Sequence, residues 1–171
     1  MKTEIDAFDL IKDWHKVSTG EKVEISDVFF QFMASWVAMN ALYNWFCRNG
    51  NYGGDKSKLK QFASASNEAK VIHSDLLADN ENYRNVILLL AEHGVYDPQN
   101  KRTVEIDDIT NFAQVILCVY QIRNNLFHGN KSFEERWDEK AVSISLTIVS
   151  TFLEGYLNHP DERLFRNKEI N

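Results

Sequence analysis

Proline and glycine are scarce, at 2 and 7 of 171 residues. So few breakers exclude collagen-like, low-complexity and turn-dense all-β chains, and with 44% apolar residues the composition favours long helices in one packed domain. Cysteine is equally sparse. Cys47 and Cys118 both fall inside apolar helical patterns, which suits a reducing compartment and excludes a disulfide framework. There is no surplus of positive charge either: 19 Lys and Arg stand against 25 Asp and Glu, a net charge of −6. A general DNA coat and a binder of anionic membranes are therefore excluded, although a small basic site is not. No apolar run is long and clean enough for a membrane span. Residues Val28 to Phe46 come nearest, but Gln31, Ser35, Asn40 and Asn44 interrupt them, whereas a span needs ~20 apolar residues with few polar breaks. The charged start MKTEIDAFDLIKDWHK is unlike a signal peptide, so a cytoplasmic protein is expected.

Absent too are GxGxxG, phosphate-loop, CxxC, HExxH and GxSxG motifs, which removes the common nucleotide, zinc and nucleophile-elbow chemistries. No cofactor and no metal are expected. His15, His73, His93 and His159 lie on polar helix faces or ends without a second ligand at metal spacing, and surface roles are expected for them. Lys56, Lys58 and Lys60 read most simply as a solvated helix start.

What is present is helical periodicity. Ile5, Phe8, Ile11 and Trp14 mark a short amphipathic helix over 5–17. Ser26-Asp27 starts a second helix that runs to about Arg48, apolar on most faces and hence central in a bundle. A third is expected from Lys56 to Leu77 and a fourth from Glu81 to Glu92, followed by a surface loop over 95–105. Asp107 or Asp108 is expected to cap a fifth, with the stripe Ile109, Phe112, Ala113, Ile116, Val119 and Tyr120 and a stop at Gly129. The run Val142-Ser-Ile144-Ser-Leu146-Thr-Ile148 alternates like a strand. Continued through Val149, Phe152, Leu153 and Tyr156 it regains helical period, so a sixth helix is expected over 138–157. The fold class is all-α: a single-domain bundle of about five to six helices, with its core over 5–157 and a charged tail over 158–171.

One segment carries chemistry: Gln121-Ile122-Arg123-Asn124-Asn125-Leu126-Phe127-His128-Gly129. Arg123 continues the apolar stripe seven residues after Ile116, where a guanidinium must be paired or must line a cleft. His128 sits before a helix-stopping glycine, where the helix dipole favours its charged form. Two readings stay open on residue types. Either Arg123 pairs with a neighbouring carboxylate while His128 caps the helix, or the two supply an anion-binding fork and a proton-transfer group.

The order Arg123, polar Asn124, three residues, then His128 resembles the R-polar-xxx-H signature of the HEPN superfamily. The placement of this motif near the end of the penultimate long helix agrees, and the run Trp36 to Asn44 is similar to the second helix of some prokaryotic HEPN proteins. The resemblance spans about 25–157 by architecture, and its specific part is the six-residue motif. It implies a metal-independent endoribonuclease of the toxin–antitoxin or defence kind, with Arg123, His128 and Asn124 as catalytic residues and RNA as substrate. Asn125, Lys131, Asn40, Tyr43 and Asn44 are further candidates for substrate binding. Residues five apart on an ideal helix diverge by about 140°, so either the helix unwinds at His128-Gly129 or two chains bring their motifs together, and the resemblance implies the latter, a homodimer. An antitoxin or nucleotidyltransferase-like protein is an implied partner. The alternative is a catalytically silent HEPN-like module that binds nucleotide, RNA or protein.

Overall fold

The computed structural model describes residues 7–21, 27–127 and 136–159. Among them the chain forms seven helices and one small hairpin, so the all-α expectation holds. In chain order these are α1 (Ala7–Ser18), α2 (Val28–Phe46), α3 (Asp55–Ala65), α4 (Asn67–Asp79), α5 (Glu81–His93), β1 (Val95–Asp97), β2 (Arg102–Val104), α6 (Phe112–Phe127) and α7 (Arg136–Leu157). His128 and Lys131, the Gly129 stop and the charged tail beyond residue 159 lie outside the described residues.

Helix α2 is the axis of the bundle. Asp27 caps it, its carboxylate accepting the amide hydrogens of Phe29 (2.8 Å) and Phe30 (3.2 Å). Phe32, Ala34, Trp36, Ala38, Met39, Leu42 and Tyr43 are all buried, and α1, α3 and α7 pack around them. A helix surrounded on several sides needs no polar stripe, which is why its sequence looked membrane-like. Among the described residues no helix is long and apolar enough to cross a membrane.

The single third helix expected over 56–77 is in fact two. Ser66 adopts an extended backbone and its hydroxyl accepts the Ala69 amide hydrogen at 3.1 Å, ending α3 and capping α4. The apolar period runs across this joint, but a serine offers the backbone a competing hydrogen bond and the chain turns there.

The loop expected over 95–105 contains the hairpin, paired Val95↔Val104, Tyr96↔Thr103 and Asp97↔Arg102. Its turn is built by Asp97, which accepts from the Gln99 and Asn100 amides and from the Asn100 side chain at 2.7 Å. The Asn100 hydrogen bond holds the Asp97 carboxyl below the usual carboxylate range. Gly94 leads in at φ 61°, a left-handed conformation suited to glycine. Asp107 and Asp108 do not cap α6. Asp108 instead turns the chain through Thr110, and Asn111 caps the helix by accepting the Ala113 amide hydrogen at 3.1 Å.

The strand-like run in α7 is helical, as expected. The hydroxyls of Ser145, Thr147 and Ser150 donate to carbonyls four residues back, at 2.7, 3.0 and 2.7 Å. Polar residues that alternate with β-branched ones are thus absorbed by the helix backbone itself. Further along the helix Phe152 stacks on Phe112 of α6 at 4.4 Å between centroids, with Phe62 of α3 set edge-on against both.

Two histidines assigned to the surface are buried. His73 is 1% exposed, with Nε2 2.8 Å from the Ile109 carbonyl and Nδ1 2.9 Å from the Tyr83 hydroxyl. The carbonyl must accept, so Nε2 carries the hydrogen and Nδ1 accepts from tyrosine, joining α4 and α5 to the approach to α6. His15, on α1, is buried, and its Nδ1 has no hydrogen-bond partner. Burial pulls both pKa values below 6.5.

Candidate functional site

The candidate residues lie on the later turns of α2 and of α6, and the seam between these helices is marked by one ring contact. Trp36 and Tyr120 join the two helices, their rings 6.1 Å apart. Further along α2 come Asn40, Tyr43 and Asn44, and further along α6 come Arg123 and Asn124.

Arg123 is half-buried. Its Nη1 donates to the Asn124 side-chain oxygen at 3.0 Å, and its guanidinium carbon lies 4.4 Å from the centroid of the Phe127 ring, one turn further on. Phe127 itself is 52% exposed, so the stacked cation borders solvent. The Arg123 Nε is buried with no hydrogen-bond partner, and among the described residues no carboxylate pairs with the guanidinium. The ion-pair reading of Arg123 therefore finds no partner among the described residues.

Across the seam, Tyr43 is fully buried and its hydroxyl is likewise unpartnered. Burial first, and then the Asp55 carboxylate, push its pKa well up, while the Arg123 charge works in the other direction. Tyr43 is thus a neutral hydrogen-bond donor within the field of Arg123.

Asn40 and Asn44 form a different arrangement. The Asn44 amide donates to the side chain and to the backbone carbonyl of Asn40, the latter at 2.9 Å, and its oxygen accepts from Lys58 Nζ of α3 at 2.8 Å. Lys58, read from sequence as part of a solvated helix start, is half-buried and ties α3 to α2. No motif marks it; the signal is a lysine facing two asparagines one turn apart on an apolar helix.

Asn125 is set apart from the other candidates. It is 4% exposed, its amide donates to the Tyr96 carbonyl of β1 at 2.8 Å, and its oxygen accepts from Gln121 at 2.9 Å. Both ends are engaged in holding the hairpin on α6, leaving Arg123 and Asn124 as the described motif polar groups bonded to each other rather than to the hairpin.

Comparisons with protein-family models, curated proteins and solved structures find no match. The site is therefore argued from its chemistry. Among the described residues no three His, Cys, Asp or Glu side chains come together as metal ligands. Both cysteines are buried, and burial pushes the Cys118 thiol up to about 12, which leaves it inert as a nucleophile at neutral pH. A separate cavity of about 200 Å³, lined by Phe8, Lys12, His15 and Glu154 among others, shares no residue with the seam. What the described residues offer here is a cation without a counter-charge among them, two aromatic rings, one exposed and one carrying an unpartnered hydroxyl, and an amide. This set suits an anion attached to a flat, stackable group.

Proposed function

We propose that the chain is a HEPN-like, metal-independent endoribonuclease of the cytoplasm, acting as a homodimer in a toxin–antitoxin or defence role. The observation that carries the reading is Arg123: a half-buried guanidinium with no carboxylate among the described residues, stacked on a half-exposed Phe127 in the last turns of α6. A structural arginine at such depth calls for a paired acid, whereas an anion site calls for an arginine whose charge is left for the ligand.

In this reading His128 removes the proton from a ribose 2′-hydroxyl. The freed oxygen attacks the adjacent phosphorus, the bond from phosphorus to the 5′-oxygen breaks, and a protonated acid returns a proton to that leaving oxygen. Arg123 neutralises the charge that grows on the non-bridging oxygens, and Asn124 orients Arg123 through its side-chain oxygen. RNA is the substrate, and the phosphate sites of two chains face one another so that each uses Arg123 of one and His128 of the other. An antitoxin or nucleotidyltransferase-like protein is the regulatory partner.

The test is cleavage of total RNA by the purified protein in excess EDTA. Activity should persist and leave 2′,3′-cyclic phosphate ends, and Arg123→Ala and His128→Ala should each abolish it. Mixing the two inactive variants should restore part of it through heterodimers. Complete inhibition by EDTA with rescue by Mg²⁺, or undiminished activity in both variants, overturns the reading.

A further inference from the structure

Helix α1 packs against α7, and the cavity of about 200 Å³ lies between them beside the last turn of α7. Helical spacing builds its walls. Phe8, Lys12, His15 and Lys16 fall at i, i+4, i+7 and i+8 on one face of α1, while Glu154 and Leu157 fall three apart on one face of α7. Glu21, just past the end of α1, adds a second carboxylate.

Floor and rim differ in chemistry. His15 and Leu157 are buried, whereas Lys12, Glu21 and Glu154 are exposed and Lys16 is half-buried, so the charges stand around a base without charge. The His15 Nδ1 is sealed without a partner, so an imidazolium would strand an N–H there and the ring stays neutral. The cavity therefore presents two cations and two carboxylates. Among the described residues no ion pair joins Lys12 or Lys16 to either glutamate. Opposite charges that line one gap without closing it leave both signs for a ligand.

We propose that this cavity binds a small α-amino acid with an apolar side chain, its carboxylate held by Lys12 and Lys16, its ammonium by Glu154 and Glu21, and its side chain laid on Phe8, His15 and Leu157. A lone anion would face two uncompensated glutamates, and a lone cation two uncompensated lysines. A zwitterion meets neither penalty. The volume sets the size of the ligand, since pockets for drug-sized molecules run to roughly 300–1,000 Å³ and this one is smaller. Because the rim is exposed each ion pair adds little, and a Kd of about 1 mM is expected. The proposal does not rest on the ribonuclease reading, as neither Arg123 nor Asn124 lines this cavity.

The experiment titrates the full-length, isotope-labelled protein with leucine and follows the His15 ring resonances. That ring is a local reporter: burial holds its pKa down, and of the charges that oppose this Glu154 acts most. Leucine should move the His15 signals along one saturation curve. Isopentylamine, which lacks the carboxylate, and isocaproate, which lacks the ammonium, should each bind about fivefold more weakly, and glycine, which lacks the apolar side chain, about tenfold or more. Glu154→Lys and Lys12→Glu each reverse one exposed charge and should weaken leucine binding by about fivefold or more. Should a variant fail to fold, the analogue series on the wild type decides alone. Affinity for either half-analogue equal to that for leucine overturns the proposal and marks a simple ionic or apolar site. So does leucine affinity unchanged in both variants, and so do His15 signals that none of the four compounds moves, the result expected of a cavity that holds only water.

Discussion

Arg123 and Asn125 are two residues apart on α6, one half-buried and one buried, yet alanine should affect them in opposite ways. Asn125→Ala deletes two hydrogen bonds and leaves the Tyr96 carbonyl and the Gln121 amide without partners in a buried setting. Each stranded group costs about 1–3 kcal/mol, so with two of them the variant should lose about 2–6 kcal/mol. For a chain of this length that corresponds to a fall in Tm of roughly 4–24 °C. Arg123→Ala deletes a hydrogen bond to its own neighbour and a ring contact at the solvent border, worth about 0.5–1 kcal/mol each, and also removes a buried Nε that has no partner, a relief of similar size. The net should lie within about 1 kcal/mol of wild type. Urea and thermal unfolding followed by far-ultraviolet circular dichroism measure the stability, and RNA cleavage measured well below the melting transition supplies the other axis. The expected pattern is a stable, inactive Arg123→Ala beside a weakened Asn125→Ala that cleaves RNA when folded. If Arg123→Ala loses about 3–5 kcal/mol, as breaking a buried ion pair does, the guanidinium has a structural counter-charge and the argument for an anion site fails.

The buried histidines give a pH signature. His73 and His15 titrate below 6.5 in the folded protein and near 6.5 when unfolded, so as pH falls the unfolded chain takes up their protons first. Their contribution is complete above about pH 6.5 and drains away as pH drops from there toward the folded values. The urea midpoint should therefore fall between pH 7 and 5, before the carboxylates titrate, and His73→Gln should flatten the fall; a midpoint constant over that range would contradict the buried, neutral assignment. Gly94→Ala should cost about 2 kcal/mol or more, because φ is 61° there and an added Cβ would sit 2.7 Å from Thr103 Cγ2 and 3.1 Å from the Val104 carbonyl oxygen. Since the hairpin is tied to α6 through Asn125, hydrogen exchange in that variant should rise in 95–104 and at Asn125 together, and a rise confined to the hairpin would show that the tie does not couple them.

The elements legible in the sequence are those in which one signal acts alone. Helix α5 runs as its period predicts because Asn80 caps it, accepting the Tyr83 amide hydrogen at 2.9 Å, and Gly94 ends it. Where two signals compete, period misleads. Ser66 divides α3 from α4 although Phe62, Ala63, Ala69 and Ile72 keep a continuous apolar pattern across it, since a buried side-chain cap outweighs one more helical turn. The hairpin escaped notice because its strands are three residues each and its turn is organised by a carboxylate, features with no periodicity to detect. His73 was misplaced for a related reason. A single polar residue in an amphipathic helix reads as surface unless its partners are known, and here they come from 10 and 36 residues away.

The site was legible to the extent that it is local. Arg123 and Asn124 stand out because a cation on an apolar stripe conflicts with the helix that carries it, and such conflicts mark positions kept for something other than packing. Tyr43 gave no such conflict. A tyrosine on a buried helix satisfies every local rule, and only the absence of a partner for its hydroxyl, visible once α2 lies beside α6, sets it apart from Tyr83, whose hydroxyl is bonded to His73. The contrast between these two buried tyrosines bears on function more directly than either alone. The core can satisfy a phenol when only structure is at stake, as it does at Tyr83. At Tyr43 it does not, and the half-buried Arg123, whose Nε also lacks a partner among the described residues, acts on that hydroxyl through its charge.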